Sequence, residues 1–184
     1  GVHLGLAGPK KDMAVLMTLN RNGQGISLSR QLSDAGVSDL DALRRWVLRG
    51  ERRLTFAHTF PTGTHAMWLY YWMASAGIDP LEDVRTIVVP PPAMVANTRD
   101  GRMDGFSVGE PWNTQGIAER VSVHAAASQD VWPDHPEKVL GATAAFVVST
   151  EIGSDTTFRT ASTTGINRRN SSRSLIGSAP GRED

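Results

Sequence analysis

Four consecutive residues, Thr62, Gly63, Thr64 and His65, join a strand-like stretch to a helix-like one. A helix start presents unpaired backbone N–H groups and a partial positive charge. Gly63 lets backbone approach a ligand closely, and the two threonine hydroxyls donate hydrogen bonds. The pattern suits a small anion. In the first helical turn the dipole disfavours an imidazolium, so His65 is expected as a neutral N–H donor. The plainer alternative is that Thr64 caps the helix and His65 is partly exposed.

A second strand-to-helix junction lies at residues 105–112, Gly-Phe-Ser-Val-Gly-Glu-Pro-Trp. Gly109 exposes backbone there, and Pro111 opens the next helix. Glu110 reads as a ligand contact, a hinge residue or a first-turn carboxylate. Trp112 reads as packing. Further on, Lys138 stands just before an apolar run, where its ammonium is either on the surface or aimed into a cleft. A lysine among neutral donors matches a monovalent anion, because one charge neutralises one charge.

Residue types for other chemistries are missing. There is no cysteine, so thiolate catalysis, disulfides and cysteine-based metal sites are excluded. The five histidines have no zinc-protease spacing. Gly-x-Ser-x-Gly, the P-loop and Gly-x-Gly-x-x-Gly do not occur. The expectation is a binding protein and not an enzyme, with no metal and no cofactor.

These residues need elements to hold them. Residues 11–20 read as a buried helix on Met13, Val15, Leu16, Met17 and Leu19. Asn22-Gly23 marks a turn. Ser38 or Asp39 can cap a helix through Leu40, Leu43, Trp46 and Val47, stopped by Gly50. Strands are expected at 54–60, 84–89, 103–108, 121–125 and 139–148. Helices are expected at 65–76, 93–99 and 111–120. Alternation of the two predicts an α/β fold with a mostly parallel sheet, whose ligands sit at the carboxyl ends of strands.

The charges cancel, 19 basic against 19 acidic, which disfavours a nucleic-acid binder. The chain starts at Gly1 with no visible signal peptide, as an incomplete or processed chain would. The longest apolar runs, at 67–73 and 144–148, are too short to span a bilayer. Near Val148 the composition turns to Ser, Thr and Arg. Residues 149–184 are therefore expected to be a disordered tail, with a frame change or truncation as one explanation.

The motifs, taken in order, resemble the nitrate/bicarbonate solute-binding proteins of ABC transporters and the related nitrate-sensing regulators. The matching stretches are Leu-Asn-Arg-Asn-Gly-Gln at 19–24, Phe-Ala-His-Thr-Phe-Pro-Thr-Gly-Thr-His at 56–65 and Trp-Leu-Tyr-Tyr-Trp at 68–72. They continue with Ala-Gly-Ile-Asp-Pro at 76–80, Val-Val-Pro-Pro-Pro at 88–92, Met-Val-Ala-Asn at 94–97 and Met-Asp-Gly-Phe at 103–106. The last are Val-Gly-Glu-Pro-Trp-Asn at 108–113 and His-Pro-Glu-Lys-Val-Leu-Gly at 135–141. Each motif alone is weak, and the ordered set over residues 1–148 is strong.

The resemblance implies a type II periplasmic-binding-protein fold, two α/β lobes closing on one anion. This chain would be a partial one, covering mainly one lobe and incomplete parts of the other. It implies that Gln24, His65, Gly109 and Lys138 hold the anion; Thr62, Gly63, Thr64 and Glu110 are expected around them from the two junctions they occupy. In the bicarbonate branch an acidic residue with calcium is expected in place of the lysine, so Lys138 favours nitrate or nitrite. The implied role is solute capture for a membrane permease, on the periplasmic side or tethered to the membrane. The alternative is a cytoplasmic nitrate sensor that controls an RNA-binding antiterminator, without itself touching nucleic acid.

Overall fold

The computed structural model describes residues 1–6 and 8–149. The tail expected over 149–184 lies outside the described residues, apart from Ser149 at the end of the last helix. Seven strands run in chain order: β1 (Met13–Arg21), β2 (Gln24–Ser29), β3 (Thr55–His58), β4 (Arg85–Val88), β5 (Gly105–Gly109), β6 (Ser122–Ala127) and β7 (Pro136–Thr143). The helices are α1 (Arg30–Asp34), α2 (Leu40–Arg49), α3 (Thr64–Ser75), α4 (Met94–Arg99), α5 (Trp112–Ala118), α6 (Ser128–Val131) and α7 (Ala144–Ser149). None of the described helices is long and apolar enough to cross a membrane.

Five strands form one sheet in the order β4-β3-β5-β2-β6. β3 pairs in parallel with β4 and β5, as the sequence predicts. β2 was not among the predicted strands, and it pairs antiparallel with both β5 and β6. The sheet is therefore mixed, with a reversed strand inserted among four that share one direction. The chain enters β2 from β1 through a turn at Asn22 and Gly23, whose φ values of 57° and 84° are left-handed. Asn and Gly are the residues that adopt this region most readily.

Both faces of the sheet are covered. Ile26, Leu28 and Phe56 point to one side and pack with Leu32, Leu43, Leu69 and Met73. Ala57, Phe106 and Val108 point to the other and pack with Met94 and Met103. Each fully buried large apolar side chain contributes roughly 1.5–3 kcal/mol. Gly105 is required where β5 passes β2 and β3, since a Cβ there would lie 2.7 Å from the Ser27 carbonyl oxygen. The α2 prediction holds in detail. The Asp39 carboxylate accepts from Ala42 N at 2.8 Å, and Gly50 ends the helix at φ 66°. On α3, Leu69, Trp72 and Met73 are buried, whereas Met67 is exposed.

Two readings need correction. Residues 11–20 are not a buried helix. They form β1, paired antiparallel with β7 in a separate two-stranded ribbon. Met13, Val15, Met17 and Leu19 alternate along it and are exposed. Leu16 falls between them and makes the run look helical. The strand expected over 139–148 divides as well. β7 ends at Thr143, whose hydroxyl accepts from Phe146 N at 3.3 Å and starts α7.

Beneath the β2–β5 crossing lies Asn113 of α5, 1% exposed. Its Oδ1 accepts from Ser27 Oγ at 2.8 Å, and its Nδ2 donates to the Val108 carbonyl at 2.7 Å. Asn113→Ala would leave the buried Ser27 hydroxyl without this partner and remove the side-chain bond to the Val108 carbonyl. It is expected to lower stability by about 1–3 kcal/mol in urea titration. An unchanged midpoint would show that the crossing does not depend on this side chain.

Candidate anion site

The site is built where β3 and β5 end. β3 runs into a loop and then into α3, so Thr64 and His65 open that helix. Gly63 occupies the N-cap position without a side-chain cap bond, so Thr64 is not the cap. Thr64 Oγ1 instead accepts from Gln24 Nε2 at 3.0 Å. Gln24 begins β2 and lies directly opposite Gly109, the last residue of β5. The reversed strand therefore brings the glutamine beside both junctions that the sequence singles out.

His65 is held through Nδ1, 2.8 Å from the Thr59 hydroxyl. Its Nε2 is directed towards Gly109, 3.6 Å from where a Cβ on that glycine would sit. The Glu137 Oε1 atom lies 3.9 Å from the same point, and the Gly23 carbonyl oxygen 3.8 Å. Glu137 Oε1 also accepts from Lys138 Nζ at 2.8 Å. Gln24, His65, Gly109 and Lys138 thus converge, with the Glu137 carboxylate among them. The Lys138 side chain is 66% exposed, whereas that of Glu137 is 6% exposed. His65 Nε2 and Gln24 Oε1 are buried, with no hydrogen-bond partner among the described residues.

The outer candidates fare differently. Thr62 is exposed on the loop, and Gly63 packs on Phe60. Glu110 precedes α5 and so is not the first-turn carboxylate of one reading, but its Oε2 accepts from Thr114 N at 3.1 Å and caps the start of that helix. Trp112 packs against the core beside β5. Beside Gln24 a crevice too narrow to admit a water molecule is lined by Ile26, Trp68, Ser107, Ser128 and Val131. His135 closes this region, its Nε2 2.7 Å from Ser128 Oγ and its ring 4.7 Å from that of Trp68.

Glu137 and Asn113 are the residues to which sequence reasoning gave no role. Glu137 stands in a matched motif, but only the register shows where it points. Asn20 pairs with Lys138 and Arg21 with Pro136, so Glu137 is the extra residue of a bulge. Consecutive strand residues normally face opposite sides. The bulge re-aims Glu137 so that it meets Lys138.

Burial holds His65 below the ordinary imidazole range. The nearby Glu137 carboxylate works against this, while Lys138 and His58 add to it. Burial depresses His58 as well. The neutral imidazole expected from the helix dipole thus has burial as its main cause.

A five-stranded α/β sheet with polar groups gathered at its strand ends is the architecture of a periplasmic-type binding lobe. The chain belongs to the NMT1-like family, which it matches over residues 1–151. It is 43% identical over 132 residues to the nitrate/nitrite binding protein NrtA of Synechococcus elongatus, covering 70% of this chain and 30% of that protein. It is 39% identical over 130 residues to the nitrate import ATP-binding protein NrtC of Synechocystis, covering 70% of this chain and 19% of NrtC. The crystal structure of the periplasmic nitrate-binding protein NrtA from Synechocystis superposes with a TM-score of 0.70 at 40% identity. That match covers 80% of this chain and 39% of NrtA. The chain therefore spans about a third of the length of its NrtA relatives, and its α/β fold is part of the periplasmic-binding-protein fold.

Stability should depend on pH through His58 and His65. Their folded pKa values lie below the ordinary 6.5, so the unfolded chain binds more protons as pH falls through that value. Stability is then fully present above it and declines below it. Urea midpoints should fall between about pH 7.5 and about pH 5.5. His65→Gln should reduce that fall, and an identical pH profile for the variant would contradict the assignment.

Proposed function

We propose that this chain is part of a solute-binding protein that captures nitrate, or nitrite, for an ABC transporter. The observation that carries this reading is the convergence of Gln24, His65, Gly109 and Lys138 at the strand ends of an NrtA-like fold. Lys138 supplies the positive charge. The Gln24 amide can turn so that the Thr64 hydroxyl donates to Oε1, which frees its NH2 for an anion. Neutral His65 keeps Nε2–H as a donor when Nδ1 accepts from the Thr59 hydroxyl. Charged and neutral donors together replace the hydration shell of a small oxyanion. The work is binding, with no bond made or broken.

The ribbon supports a second lobe. A two-stranded ribbon alone is marginal in water. β1 turns Met13, Val15, Met17 and Leu19 outward, as a strand does when more structure packs on it. Closure of two lobes on the anion would shift an open–closed equilibrium, because the closed form binds better.

The NrtC match favours one further arrangement, in which the same binding unit is joined to an import ATP-binding protein. In that case it would sense the anion on the side where ATP is used, and would not deliver it from the periplasm.

Lys138→Glu in a full-length binding protein carrying this chain should weaken nitrate binding by more than roughly a hundredfold, because two adjacent carboxylates then face the anion. Calorimetry showing unchanged affinity would remove Lys138 from the site. The 184-residue chain by itself should bind nitrate poorly, since an anion between lobes needs both. Tight binding by this chain alone would contradict the two-lobe reading.

A further inference from the structure

The carboxylate of Glu137 lies within the ring of residues proposed to hold the anion. Its Oε1 accepts from Lys138 Nζ at 2.8 Å, and its Oε2 lies 3.4 Å from Asn20 Nδ2. The Oε2 atom is 3.0 Å from the Cβ position of Gly23, and Oε1 is 3.9 Å from that of Gly109. His65 Nε2 lies 3.6 Å from the same point at Gly109. The side chain is 6% exposed, and a bulge in β7 aims it there.

A carboxylate is a planar group with charge −1 spread over oxygens about 2.2 Å apart. Nitrate has the same shape, the same charge and nearly the same oxygen spacing. Resting on the nitrate-binding reading, we propose that Glu137 is an internal ligand of the site, a tethered carboxylate that the captured anion must displace from Lys138.

This role follows from charge balance. With Glu137 present, Lys138 is already neutralised, so an anion added beside the pair would leave a net negative charge in a partly buried place. Exchange avoids that. Lys138 passes from one planar anion to another, and Glu137 moves out to solvent along the exposed strand β7. The same exchange explains selectivity. A dianion would be left half neutralised by one lysine, and a neutral molecule cannot displace a carboxylate from an ammonium. The pocket would therefore admit small planar monoanions and hold its shape between captures.

The test uses the full-length protein carrying this chain, with Glu137→Ala to remove the carboxylate and Glu137→Gln to remove only its charge. Circular dichroism and thermal unfolding establish that each variant folds, and the glutamine variant decides if the alanine variant does not fold. Calorimetric titration with nitrate should give affinities roughly tenfold to a hundredfold higher than wild type for both, the range spanned by losing one charged hydrogen-bond competitor. Formate should bind the alanine variant, compete there with nitrate, and bind wild type at least tenfold more weakly. Weaker or unchanged nitrate affinity in both variants would overturn the proposal, because Glu137 would then support the anion or ignore it. Formate binding by the alanine variant without nitrate binding by any form would uphold the internal ligand and discard nitrate as the solute. Binding of neither anion by any form would overturn both readings.

Discussion

The reversed strand β2 is the constraint on which the site depends. It is buried along its whole length, between β5 and β6. Every backbone group on such a strand must find a partner, and antiparallel pairing on both sides supplies them. That register puts Gln24 opposite Gly109. If β2 slipped by one residue, Gln24 would turn to the other face of the sheet, away from α3 and His65. Asn113 opposes such a slip, because it ties Ser27 of β2 to the Val108 carbonyl of β5 from below. A Cβ on Gly25 would lie 3.0 Å from its Nδ2, so the amide packs closely under the strand. The anion site is thus held from beneath by a buried amide that touches none of its proposed ligands.

The electrostatics are as local as the packing. The whole chain has no net charge, and the candidate site has almost none either. Lys138 and Glu137 cancel, while burial keeps His65 inclined to be neutral. An anion bound there would be held through aimed donors and one positive charge, not through an attractive surface potential. A broad basic surface would draw in polyanions of every kind. A neutral pocket with one exchangeable lysine discriminates by size, shape and charge.

Much of this was legible in the sequence, and the reasons for success and failure are physical. The β3-loop-α3 and β5-α5 junctions were readable because Pro, Gly and Thr mark turns and helix starts unambiguously. α2 was readable because a capping aspartate and a terminal glycine bracket an amphipathic stripe. β1 was misread because Leu16 interrupts a period-two pattern, and because an exposed apolar strand looks like a buried element. β2 was passed over because its alternation is Gly, Ile, Ser, Leu, Ser. Its small polar residues normally mark a solvated face, and here Gly25 and Ser27 meet Asn113 of α5 while Ser29 caps α1. Glu137 was seen and given no role, since side-chain direction in β7 depends on a bulge that no local pattern announces. The ordered motifs led to the family and to four ligand candidates. The fifth group at the site emerged only from the register.

The site also straddles two structural units of the fold. Gln24, His65 and Gly109 come from the five-stranded sheet and its helix. Asn20, Glu137 and Lys138 come from the β1–β7 ribbon. The chain passes between ribbon and sheet at Asn22 and Gly23 on one side, and near Asp134 and His135 on the other. Asn22, Gly23 and Asp134 all have positive φ, and the first two are residue types that tolerate it. The Asn22 amide donates to the His135 carbonyl oxygen at 3.0 Å and clasps the two crossings together. A small backbone rotation at this clasp would move Lys138 relative to His65 without disturbing either core. Hinges of that kind need few residues, because only the dihedrals at the crossing have to change. The same geometry explains why the lysine can be both well placed and largely exposed. It stands on the exposed ribbon, where its partner is the neighbouring Glu137 carboxylate.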